Sequence, residues 1–91
     1  MAVEVRIPTI LRTYTGGASE VSAEGGTLAE VLDHLDTQFS GIRGRIVDEG
    51  GDLRRFVNVY VGNDDVRFLD SLDTATADGV QVSVIPAVAG G

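Results

Sequence analysis

The chain has 91 residues, no cysteine, no lysine, a single histidine and a net charge of −7, a length that makes one domain and buries roughly 60–65% of the surface exposed on unfolding. Its 43% hydrophobic content and mean hydropathy of +0.12 fit a globular rather than a disordered chain. This inventory excludes a disulfide scaffold, a thiolate zinc site and cysteine chemistry, leaves little room for a multi-histidine metal site or a serine–histidine triad, and argues against nucleic acid, whose phosphates need clustered cations.

The acidity reads as solubility or as steering toward a basic partner surface. No segment approaches the roughly 20 apolar residues of a membrane span, and the alternating start of the chain is no signal-peptide core. A cytoplasmic protein, off the membrane, is expected.

In chain order, Val3, Val5 and Ile7 face one way and Glu4 and Arg6 the other, the period-two pattern of a half-buried strand. Pro8 marks its end. Thr15-Gly16-Gly17 reads as a turn, Ser19 to Ala23 as the second arm of a hairpin, and Gly25-Gly26 as its close. Thr27 with Glu30 forms a capping box in which each side chain satisfies an orphan backbone N–H. Leu28, Val31, Leu32, Leu35 and Phe39 then recur at helical spacing, with Asp33 and Asp36 off the stripe and Gly41 where a left-handed C-terminal residue is wanted. One amphipathic helix from about Thr27 to Ser40 follows, and His34 beside its stripe has a surface or packing role.

Ile42 to Val47 reads as a short second helical turn and Asp48–Asp52 as a flexible acidic loop. Phe56 to Val61 is β-prone, with Val57, Val59 and Val61 on one face and Phe56, Asn58 and Tyr60 on the other. Gly62-Asn63-Asp64 turns the chain, Val66–Phe68 is a short returning strand, and Leu72 anchors a connection to a last strand around Val80, Val82 and Val84. The order β-β-α-β-β-β predicts an α+β, β-grasp (ubiquitin-like) fold: a mixed sheet with one main helix on one face, and the first and last strands parallel at its centre.

Catalytic constellations are missing. The carboxylates are scattered, Asp64-Asp65 falls in a solvated loop, and the glycine pairs lack the Lys-Ser/Thr of a phosphate loop. What stands out is the end, Pro86-Ala87-Val88-Ala89-Gly90-Gly91. Pro86 lacks an N–H and is expected to end strand pairing, dividing the chain into a domain over 1–86 and a flexible tail over 87–91. Those five residues reach roughly 17 Å at about 3.4 Å each. Glycines without Cβ atoms suit a narrow tunnel in another protein, through which Val88, Ala89 and Gly90 thread and Gly91 presents its carboxylate; the plain alternative is a frayed terminus.

With these residues in view, the chain resembles the ThiS/MoaD family of ubiquitin-like sulfur carriers over essentially its whole length. The resemblance is carried by Val84-Ile85-Pro86-Ala87-Val88-Ala89-Gly90-Gly91, by the Thr27-Leu28 helix start and by Arg55-Phe56-Val57-Asn58-Val59-Tyr60-Val61. Ile7-Pro8-Thr9-Ile10-Leu11-Arg12 and Asp65-Val66-Arg67-Phe68 look most like the CysO-type subgroup of actinobacterial cysteine biosynthesis.

The resemblance implies a protein cosubstrate rather than an enzyme, binding no cofactor of its own. An E1-like partner would use ATP and magnesium to adenylate the Gly91 carboxylate, and sulfur attack would leave a thiocarboxylate. A pyridoxal-phosphate (PLP) cysteine synthase would supply the acceptor aminoacrylate. A zinc-dependent peptidase would then release the cysteine. The carrier is expected to be monomeric when free. Phe56 and Tyr60 are either outward-facing partner anchors or buried under the Ile42–Asp52 segment, and Arg54 and Arg55 either meet a partner carboxylate or form a solvated strand end. Two other readings of the same pattern are a MoaD-type small subunit feeding molybdopterin synthase and a β-grasp protein modifier.

Overall fold

Alternation of apolar and polar side chains builds the sheet. The computed structural model describes residues 2–86; the expected tail, with Val88, Ala89, Gly90 and Gly91, lies outside the described residues. In β1 (Ala2–Arg6) Val3 and Val5 are buried between exposed neighbours, and Ile7 continues the buried row. A 3-10 turn at Thr9–Leu11 and glycines with positive φ at 16 and 17 reverse the chain into β2 (Glu20–Glu24). The two pair antiparallel from Ala2↔Glu24 to Arg6↔Glu20.

The helix α1 spans Leu28–Gln38, with Leu28, Val31, Leu32 and Leu35 fully buried. Thr27 Oγ1 accepts the Glu30 N–H at 3.3 Å, as the capping box requires, but the Glu30 carboxylate reaches one residue further back and accepts the Gly26 N–H at 2.8 Å. Gly41 takes the left-handed conformation after the helix, where Asp36 Oδ1 accepts the N–H groups of both Gly41 and Arg43. That carboxylate links α1 to the short α2 (Arg43–Ile46). His34 has a packing role, because its Nδ1 accepts the Glu24 N–H at 2.8 Å while Gln38 Nε2 donates to Ser22 O at 3.0 Å. Two helix side chains thus occupy the outer backbone groups of an edge strand.

The acidic loop is better ordered than its composition suggests. Asp48 Oδ1 accepts from the Gly50 and Asp52 N–H groups, and Val47 bridges to Leu53, so the segment is a hydrogen-bonded turn. β3 (Val57–Val61) buries Val59, with Val57 and Val61 packed on the core. The returning strand β4 is Asp64–Asp65 rather than Val66–Phe68. Asp65 Oδ1 accepts the Arg67 N–H at 2.9 Å and caps a 3-10 turn over Val66–Phe68, so local capping overrides β propensity. The same geometry removes Asp65 from the solvated loop expected for it.

β5 (Gln81–Pro86) closes the sheet in the order β2-β1-β5-β3-β4, parallel to β1 and antiparallel to β3. This is the β-grasp arrangement, with α1 covering one face. The connection into β5 contributes more than its Leu72 anchor. Thr74 and Thr76 are buried: Thr74 O accepts the Leu28 N–H, and Thr76 bonds Gly26 O through its N–H and Gly25 O through its hydroxyl. No helix among the described residues is long and apolar enough to cross a membrane.

At this crossing a Cβ on Gly25 meets backbone of Val31 at 2.6 Å and of Glu30 at 2.8 Å, whereas one on Gly26 meets only the Glu30 carboxylate at 3.6 Å. Gly25→Ala is therefore expected to destabilise the fold by about 1–3 kcal/mol through backbone overlap, and Gly26→Ala by much less. Urea unfolding of the two variants side by side tests this; equal losses contradict it.

Candidate functional site

The surface changes character where β5 ends. β1 leaves β5 after Arg6↔Ser83, while β3 continues beside it through Asn58↔Ile85 to Val57↔Pro86. Pairing thus includes Pro86, against the expectation that the proline stops it. With a strand on one side only, the missing N–H is no loss, and proline is tolerated as it is at sheet edges.

Two grooves flank this strand end, of about 250 and about 450 Å³. Pro8, Ile10, Val84 and Pro86 line both. Ile10, on the 3-10 turn, is 66% exposed despite its size, and Ile85 on the open sheet face is 45% exposed. Arg54 holds the first groove's wall together: its N–H donates to Ile46 O and its Nε to Gly44 O, tying the approach to β3 onto α2. Arg12 Nε donates to Ile7 O at 3.1 Å and fixes the other wall.

Of the candidate partner residues, Phe56 is 57% exposed, and the Arg55 guanidinium carbon lies 5.9 Å from its ring centroid. It is not under the Ile42–Asp52 segment, because Ile42, Ile46 and Val47 turn into the helix-side core. Phe56 also does not share the strand face of Tyr60. The Val57 N–H bonds Arg54 O, so Phe56 sits in a turn before β3, where strand alternation does not apply. It lines a shallow groove with Asp48, Arg55 and Val57, while half-buried Tyr60 pairs with Ser83 and Asp65 on the open face. Arg54 and Arg55 are both exposed, but they differ in anchorage: Arg54 Nε is tied to Gly44 O, while Arg55 lies over the Phe56 ring. A clamp missed by the sequence reading joins these regions: Arg67 donates to Asn58 Oδ1 at 2.6 Å and to Arg54 O at 2.7 Å.

Val88, Ala89, Gly90 and Gly91 lie outside the described residues, so the geometry reaches only the strand they follow. Ile10 and Pro86 stand in the sequence reading as carriers of the resemblance and as a strand end, not as one surface; only the fold brings the turn after β1 beside the end of β5. Among the described residues no group of three or more His, Asp or Glu could hold a metal ion.

The profile of the ThiS family matches residues 5–91. The chain is 54% identical, over a 93-residue alignment covering all of both chains, to sulfur carrier protein CysO of Mycobacterium tuberculosis. The crystal structure of the Amycolatopsis orientalis BexX/CysO complex superposes with a TM-score of 0.92 at 48% identity, covering 98% of this chain and 99% of that one. The crystal structure of Mycobacterium tuberculosis CysO gives 0.91 at 52% identity over 94% and 99%.

Exposure separates the two kinds of residue on this surface. Phe56→Ser is expected to change unfolding free energy by no more than about 0.5 kcal/mol, whereas Arg67→Ala lowers it by about 1 kcal/mol through loss of two hydrogen bonds. Equilibrium denaturation decides, and a large loss at Phe56 shows that the side chain packs rather than projects.

Proposed function

The chain belongs to the ThiS family and is a CysO-type sulfur carrier, and on that footing we propose that the α-carboxylate of Gly91 is the group it carries to its partners. Residues 1–86 serve as the handle and 87–91 as the arm. The observation that carries this reading is the sequence Gly90-Gly91 placed a few residues beyond β5, a central strand of a β-grasp sheet. An arm rooted on a strand starts from a fixed point, which helps position its far end.

A carboxylate is a poor electrophile. An E1-like partner activates it with ATP and magnesium: a Gly91 oxygen attacks the α-phosphorus, pyrophosphate leaves, and a sulfur nucleophile then displaces AMP from the acyl adenylate. With hydrosulfide as that nucleophile, a carbon–sulfur bond replaces the carbon–oxygen bond to AMP, a proton is released, and the terminus is a thiocarboxylate. Its sulfur adds to an aminoacrylate held by a PLP-dependent cysteine synthase, and an S-to-N acyl shift leaves cysteine joined by an amide to Gly91. A zinc-dependent peptidase releases the cysteine and regenerates the carrier. ATP, magnesium, PLP and zinc all belong to the partners in this scheme.

Val88, Ala89 and Gly90 thread a narrow passage in each partner, and exposed Phe56 with half-buried Tyr60 supplies contact outside it. The BexX/CysO complex of Amycolatopsis orientalis is a case in which a relative docks on another protein, which supports delivery by docking.

Intact mass of the protein from its host, or after incubation with an E1-like partner, ATP and sulfide, is expected to show oxygen-to-sulfur exchange at Gly91. An added cysteinyl residue there identifies the pathway. Gly90→Val is expected to keep the wild-type melting curve yet lose thiocarboxylation, because its Cβ branches block the passage. Normal thiocarboxylation of that variant contradicts threading, and a plain carboxylate under all conditions contradicts the carrier chemistry.

A further inference from the structure

The charge around Pro86 has the opposite sign to the charge of the chain. The protein carries −7 overall, from 14 Asp and Glu against 7 Arg. Yet Arg6, Arg12, Arg45 and Arg54 line the two grooves beside Pro86, and none of the acidic residues does. These four come from β1, the turn after it, α2 and the approach to β3, so only the folded chain assembles them.

Their donors are held ready rather than used up. Arg12 and Arg54 are each anchored to a backbone carbonyl through Nε, and their terminal nitrogens make no hydrogen bond among the described residues. Arg45 is exposed, and its guanidinium has no hydrogen-bond or ion-pair partner among the described residues. Arg6 Nε lies 3.9 Å from Glu20, both side chains being largely solvated, a pair of little strength. Pro8, Ile10 and Pro86 line both grooves, between the Arg45–Arg54 pair of one and the Arg6–Arg12 pair of the other, and Ile85 lines the second. An apolar centre with a charged rim is the anatomy of a protein interface, and the fixed planar forks of arginine suit carboxylates.

We propose that this collar docks the carboxylate-rimmed mouth of the passage that receives residues 87–91. The proposal rests on the reading of Gly91 as the delivered group. Any protein that encloses the chain directly after Pro86 also covers the ground around Pro86, so this surface meets the rim of every such partner. Complementarity then demands Asp and Glu on that rim around an apolar spot for Ile10. Net charge alone steers the chain toward basic surfaces. At contact range, inside a Debye length of about 8 Å, the local sign governs instead.

The test uses the full-length carrier and the E1-like activating enzyme of the same host, with binding measured calorimetrically at low and at raised salt. Arg45→Glu is expected to weaken binding roughly tenfold at low salt, with the gap to wild type narrowing as salt rises. Ile10→Ser is expected to weaken it roughly tenfold at both salts. Asn63→Asp, in the turn at the far end of the sheet, adds the same sign of charge and is expected to leave affinity within about twofold. Melting curves confirm that all three variants fold.

Unchanged binding of Arg45→Glu with normal thiocarboxylation overturns the collar alone. Tighter binding of Arg45→Glu overturns it too, and indicates a basic rim. Wild-type binding without any activation of Gly91, with the variants weakened as expected, supports the collar as a docking surface and overturns the proposed chemistry. No binding by the wild-type carrier overturns both.

Discussion

The parallel pairing of β1 with β5 is the constraint on which the rest of the molecule depends. Glu4, Val5 and Arg6 stand opposite Gln81, Val82 and Ser83, with Val5 and Val82 both fully buried. Parallel neighbours cannot be joined by a tight turn, so nearly the whole sequence is spent on the crossover between them. β2 and β3 extend the pair on either side, and α1 covers the face that the pair makes apolar. Because β1 stops three residues before β5 does, the turn after β1 comes to lie beside the end of β5. The grooves around Pro86 are a product of that staggered finish.

The second constraint is the docking of α1. Its N-terminus is tied to the loop before it by Thr27 and Glu30, and to the connection before β5 by Thr74 and Thr76. Its later turns reach the outer edge of β2 through His34 and Gln38. The other outer strand, β4, is two residues long and passes at once into a capped 3-10 turn. Both sheet edges therefore offer few free backbone groups, one of the ways proteins avoid pairing edge to edge.

What could be read from the sequence was what depends on neighbours along the chain. The alternation of Val3, Val5 and Ile7, the stripe from Leu28 to Leu35 and the turn glycines are local patterns, and each is realised; of the Thr27–Glu30 cap the threonine half forms as expected, while Glu30 reaches back to Gly26. Val66–Phe68 was misjudged because a valine and an aromatic residue favour strand, whereas the Asp65 carboxylate bends the backbone first. Phe56 was misplaced because alternation was extended one residue past the start of β3. Thr74 and Thr76 look like any polar connection until the fold brings Gly25 and Gly26 against them. The collar was hidden for a similar reason, since arginines at 6, 12, 45 and 54 share no spacing. Gly90 and Gly91 lie outside the described residues, and their reading rests on sequence alone.

The crossover between β1 and β5 also bears on how the chain is made and kept. Pairings between residues so far apart in the sequence carry a loop-closure cost and slow folding. The hairpin of β1 and β2 with α1 can be assembled from the first half of the chain, but the sheet's centre stays open until residues 81–86 are available. A chain cut before β5 loses a central strand rather than a fringe, and its valine rows have nothing to close on. The population of folded domains is thereby restricted to molecules that still carry the strand leading to the terminus. Folding is thus made conditional on residues 81–86 by the topology, without any residue devoted to that check.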